Sequence, residues 1–184
     1  MLNFSSRHLT RHSSREFHQM WRFTTGLPVN RPGMMLWSPL VLRIPITTAH
    51  ASTALEILSA VQATLSTQGL SSVTVVGHSL GAALALLDGI FFSLQLPEGV
   101  TVKVISYGMP RVGNQAFADF VDSQLSGRVT HVNNREDPIP IVPGMSLGFH
   151  HPPGEIHILD SGAWDACPGV FSSSCVCVWF ACNS

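Results

Sequence analysis

The chain has 184 residues, enough for one domain with a single buried core. Its residues are 45% apolar and only 11% charged, which excludes a disordered chain, and the apolar runs fall short of the ~20 residues a membrane-spanning helix needs. The net charge of −1 conceals +5 over residues 1–50 (six Arg against Glu16) and −6 over residues 51–184 (four basic groups against ten acidic), a split that argues against a nucleic-acid-binding surface on the folded part.

In chain order, residues 1–48 do not read as a domain. MLNFSSRHLTRHSSREFHQMWRF is rich in Arg, Ser and His, and it lacks the apolar core of a secretory signal. Its composition is close to that of an organellar transit peptide, but a poorly ordered tail is the simpler expectation. GLPVNRPGMMLWSPLVLRIPI then spreads Pro28, Pro32, Pro39 and Pro45 through an apolar stretch, which predicts no long helix there. Regular signals begin at Ala49. Leu55, Leu58, Val61 and Leu65 recur at helical spacing, and Gly69 ends the run. Ser71–Val76 (SSVTVV) is a short β-branched run of the kind found in parallel sheets. Ala82–Leu96 is apolar nearly all round, which predicts a buried helix. Thr101–Tyr107 reads as a strand, Ala116–Leu125 as an amphipathic helix, and Val129–Asn134 and Glu155–Leu159 as two further strands. Strands alternating with helices predict βαβ units and a parallel sheet covered on both faces.

Gly77-His78-Ser79-Leu80-Gly81 lies between the first strand and the buried helix. This is G-x-S-x-G in the strand–turn–helix setting that a nucleophilic serine requires. Ser79 sits on a sharp turn that lifts its hydroxyl clear of the sheet. Gly77 and Gly81 are expected to be glycine because a Cβ at either would clash where strand and helix meet. The helix N-terminus places the backbone N–H of Leu80 to hold a developing oxyanion.

A serine nucleophile needs a base, and the base needs an orienting acid. Asp88 falls inside the buried helix, and Asp119 and Asp122 lie on an amphipathic one. Asp137 follows the strand Val129–Asn134 in a loop at the same sheet edge as Ser79, and is the candidate acid; the same residue would also suit a turn cap. Downstream of it the candidate bases are His150, His151 and His157. His157 alternates within a strand, whereas His150 and His151 lie in the loop GFHHPPG. From spacing alone either His150 or His151 could be the base. His150, His151, His157 and Asp160 lack regular ligand spacing, so no metal is expected, and the chemistry needs no cofactor.

The blocks VTVVGHSLGAALALLDGIFF, ISYGMPRVGNQAFADF, HVNNREDPIPIVP, GFHHPPGEIHI and DSGAWDACPG occur in that order between about His50 and Gly169. They resemble the fungal class 3 lipases. The resemblance implies an α/β-hydrolase core with a mostly parallel sheet over residues 49–169, flanked by a divergent segment 1–48 and a divergent cysteine-rich tail 170–184. It further implies Ser79 as nucleophile, Asp137 as triad acid, a lipid or other carboxylic ester as substrate, and an extracellular setting.

Two features of that family have no counterpart here. Its triad histidine lies beyond the GFxHPxGE block, and residues 170–184 contain no histidine; the resemblance makes His151 a histidine of that block bonded to the backbone of its own loop, and a substitute base only. Nothing in residues 1–48 matches its early strands or the Gly-rich loop that gives the second oxyanion N–H. The expectation is a fold incomplete at the N-terminal edge and C-terminus, marginally stable and prone to associate. The alternative to an ester hydrolase is therefore a catalytically inactive lipase-like fragment. Cys167 belongs to the family-like DACPG, and Cys175, Cys177 and Cys182 follow as C-x-C-x4-C. That spacing does not suit zinc, and disulfides with Cys167 would require an oxidising compartment.

Overall fold

The computed structural model describes residues 39–167. The expectations for residues 1–38, and for the tail 170–184 with Cys175, Cys177 and Cys182, lie outside the described residues.

Helix α1 (Pro39–Gln68) starts ten residues before Ala49 and runs through the segment where prolines predicted no long helix. Pro39 occupies the first helical position, where a missing N–H costs nothing. Pro45, in the second turn, gives up one backbone hydrogen bond, and the proline-free remainder propagates the helix. The packed stripe of α1 is Ala54, Leu58, Val61 and Leu65, at the 4-3-4 spacing of one helix face. Leu55, expected on that face, lies one position off it and is exposed.

Strand β1 (Ser72–His78) feeds helix α2 (Leu80–Gln95), which is followed by β2 (Thr101–Tyr107). A two-stranded ribbon forms from β3 (Gly113–Asn114) and β5 (Phe149–His150), paired antiparallel. Helix α3 (Gln115–Leu125) is capped by the Asn114 side chain, which accepts from Phe117 N–H at 3.0 Å. The chain continues through β4 (Val129–Asn134), β6 (Glu155–Ile158) and β7 (Trp164–Ala166). The main sheet has the order β1-β2-β4-β6-β7; the first three pairings are parallel, and β7 returns antiparallel.

Strand order advances in one direction from β1 to β2 to β4, so right-handed crossovers place α2 and α3 on the same face. That face holds the core: Ala82, Leu86, Ile90 and Phe92 of α2 pack on Val102 and Val104 of β2 and on Phe117, Val121 and Leu125 of α3. The helix comes so close that a Cβ on Gly89 would lie 2.2 Å from Val104 Cγ2. Helix α1 covers α2 from outside, where His50 Nε2 meets Asp88 Oδ1 at 3.2 Å and the His50 ring stands edge-on to Phe91. Asp88 thus makes a polar contact between the two helices.

The opposite face departs from expectation. Among the described residues it is uncovered beside β1 and β2, leaving Val76 61% and Tyr107 43% exposed. Strand β1 is also the sheet edge among those residues. A crossover helix between these strands would lie on that face only if the strand order reversed, which it does not do here.

Candidate active site

Because β1, β2 and β4 are parallel, their carboxyl ends open onto one edge of the sheet. Ser79 stands at the first of these ends. Its backbone is at φ 54°, ψ −125°, a region that only glycine enters freely. The turn is pinned by Ser79 N–H donating to Tyr107 O at 2.9 Å and by Ala82 N–H donating to Ser79 O at 3.0 Å. The serine side chain makes no capping bond to α2. Leu80 opens that helix, where the backbone N–H has no acceptor within the helix.

The two motif glycines differ. A Cβ on Gly77 would lie 2.2 Å from Gly81 O and 2.7 Å from Ala82 Cα, so only glycine fits. A Cβ on Gly81 would meet nothing within 4 Å, which corrects the expected clash there. The strand's end is crowded by the helix, whereas the Cβ direction of Gly81 is open.

Asp137 lies in the turn after β4, with its N–H donating to Asn134 O at 3.0 Å. Its Oδ1 accepts from Ile139 N–H at 3.0 Å, so the residue does cap its own turn. Its Oδ2 would lie 2.9 Å from a Cβ on Gly108, which has φ +55° and donates to Val132 O at 2.9 Å. Tyr107 O holds the Ser79 turn, and the next residue, Gly108, lies against the Asp137 carboxylate. A single peptide at the end of β2 thus separates the two candidate groups. The role of Gly108 was not drawn from the sequence; its signal is a glycine directly after a strand.

His151 is placed differently. Its ring is buried, with Nε2 2.8 Å from Pro140 O. A carbonyl only accepts, so Nε2 carries the proton and donates. The ring stacks on His131, with centroids 4.9 Å apart and planes 19° apart, and His131 Nε2 in turn donates to Pro152 O at 3.0 Å. Burial pushes His151 well below the ordinary histidine range, and the neighbouring His131 adds to the shift. His131 is also lowered by burial, against a partly restoring Glu155. Both rings are neutral at pH 7; with the proton on Nε2 the lone pair of His151 is on Nδ1, which is buried and makes no hydrogen bond to Ser79.

His150, on β5, is lowered by burial and then by Arg111. His157 is buried within the sheet, paired in register with Asn133 and Asp165. Among the described residues no three His, Cys, Asp or Glu side chains are grouped to hold a metal ion. Cys167 is disulfide-bonded, and the chain's other cysteines lie outside the described residues.

A family model described as lipase (class 3) matches residues 12–147, reaching well ahead of His50. A secreted mono- and diacylglycerol lipase of Malassezia globosa is 42% identical over 101 residues, 54% of this chain and 33% of that protein. Among solved structures, lipase II from Rhizopus niveus superposes with a TM-score of 0.62 at 30% identity, covering 68% of this chain and 48% of that one. The Rhizomucor miehei triacylglyceride lipase gives 0.57 at 30% identity, covering 63% and 44%. The chain therefore spans about a third of that curated relative and less than half of each solved lipase. The strained strand–turn–helix geometry at Ser79, the parallel sheet and these similarities agree: the chain has an α/β-hydrolase core and belongs to the class 3 lipase family.

Proposed function

We propose that the chain carries the nucleophile, the oxyanion donor and the orienting acid of a serine ester hydrolase acting on acylglycerols or similar carboxylic esters. The observation that carries this reading is the strained backbone of Ser79, at φ 54° directly before a helix N-terminus. A non-glycine residue kept in that conformation costs about 1–3 kcal/mol, which a merely structural turn would avoid by using glycine. Ser79 Oγ attacks the ester carbonyl carbon while a histidine takes the hydroxyl proton, and Leu80 N–H receives the developing oxyanion. Collapse expels the alcohol, which regains the proton, and leaves acyl-Ser79. Water, deprotonated by the same histidine, then releases the carboxylic acid. Asp137 orients that histidine.

His151 is not the base in this reading, because its Nε2–H donates to Pro140 O and not to Asp137, and its Nδ1 is buried with no hydrogen bond to Ser79. That commitment also supports the second reading, a lipase-like piece without a base of its own. An extracellular setting is supported by the disulfide at Cys167 and by the relatives named as secreted. Incubation with a fluorophosphonate probe separates the readings. Stoichiometric labelling at Ser79, lost in Ser79→Ala, supports the hydrolase; folded protein that stays unlabelled supports the inactive piece.

A further inference from the structure

Arg111 is almost fully buried, yet among the described residues it makes no ion pair. Its Nη1 donates to Ile141 O and to Pro143 O, the latter at 2.9 Å, and its backbone N–H donates to Val142 O at 2.9 Å. Three consecutive carbonyls thus converge on one residue. The buried Nε and Nη2 have no partner among the described residues. A buried cation satisfied only by carbonyls carries a large desolvation cost, and an apolar side chain of similar volume would pack there without it. What an apolar side chain could not do is hold those carbonyls. The preceding carbonyl, Pro140 O, is held by His151 Nε2–H at 2.8 Å. At the front of the same segment Asp137 Oδ1 accepts from Ile139 N–H. Every residue from Pro140 to Pro143 therefore has its carbonyl fixed by Arg111 or His151. The arm that carries Arg111 begins at Gly108, against the Asp137 carboxylate.

We propose that Arg111 and His151 are positioning residues that clamp the Asp137–Pro143 segment and so hold the Asp137 carboxylate beside Gly108 and the Ser79 turn. The proposal rests on the reading of Asp137 as the orienting acid, and its test separates the two.

The direct readout is native-state amide exchange at Ile139, whose N–H bonds Asp137 Oδ1, with Val104 in β2 as the control for global opening. It needs no activity. Arg111→Met and His151→Leu remove donors while keeping apolar volume, and each should speed Ile139 exchange about tenfold with Val104 unchanged. Glutamine places an amide N–H near the former Nε2, so His151→Gln should restore slow exchange. Should Arg111→Met fail to fold, Arg111→Lys and the two His151 variants carry the test. Unchanged exchange at Ile139 in His151→Leu, or exchange in His151→Gln as fast as in His151→Leu, overturns the clamp. Asp137→Asn is then assayed for fluorophosphonate labelling of Ser79. Slowed labelling supports the acid reading; an unchanged rate overturns that reading, and with it the clamp's part in catalysis, whatever the exchange data show.

Discussion

Alanine at the two motif glycines should act with opposite sign. At Gly77 the new Cβ would lie 2.2 Å from Gly81 O, 2.5 Å from Gly81 C and 2.7 Å from Ala82 Cα. A carbon and an oxygen need more than 3 Å, so strand and helix must separate by about 1 Å. The obstructing atoms are all backbone, and no rotamer change relieves them. The cost therefore belongs at the upper end of the overpacking range, about 3 kcal/mol, or roughly 6–12 °C in Tm for a chain of this length. At Gly81 a Cβ meets open space, the φ is not positive, and the residue sits in the first turn of α2. Gly81→Ala should stabilise by about 0.5–1 kcal/mol, mainly by restricting the unfolded chain. Urea unfolding followed by far-UV circular dichroism reads both variants. Equal effects at the two positions, or a larger loss at Gly81, would show that the crowding at the strand–helix junction is not what requires glycine.

Ser79→Gly should relieve the strained backbone and exceed Ser79→Ala in stability by about 1 kcal/mol, while neither is labelled by a fluorophosphonate; equal urea midpoints would refute the strain. His131 and His151 both titrate below their ordinary value near 6.5 because they are buried. The unfolded chain therefore binds more protons below that pH, so the stability they confer is present above about 6.5 and is lost as pH falls. Unfolding free energy measured from pH 7 to pH 5 should decline, less steeply in His151→Gln, and parallel curves for the two proteins would count against this assignment. Val76→Lys on the uncovered face of β1 should lower self-association in sedimentation velocity, with stability changed by less than about 0.5 kcal/mol.

The sequence by itself was enough for whatever depends on local pattern. The β-branched run before Gly77 and the apolar run after it identified β1 and α2, and with them the turn that presents Ser79. Chain order and a loop following a strand made Asp137 the candidate acid, and the structure has it in the turn after β4. Helix α1 forms despite its prolines because Pro39 falls at the first helical position, where it costs nothing, and Pro45 gives up a single bond near the helix start. The rest depended on contacts between segments distant in sequence. The difference between Gly77 and Gly81 is a matter of which Cβ direction faces the opposing backbone, which identical residues in a five-residue motif cannot reveal. The uncovered sheet face follows from strand order, which is decided by pairing and not by any strand's own composition. His151 had two open roles in the sequence. Only folding brought its ring onto His131 and its Nε2 to Pro140 O, and Arg111 likewise gained its three carbonyls from a loop about thirty residues away. A buried polar group takes its role from whatever partner is at hydrogen-bonding distance, and that distance exists only in the folded chain.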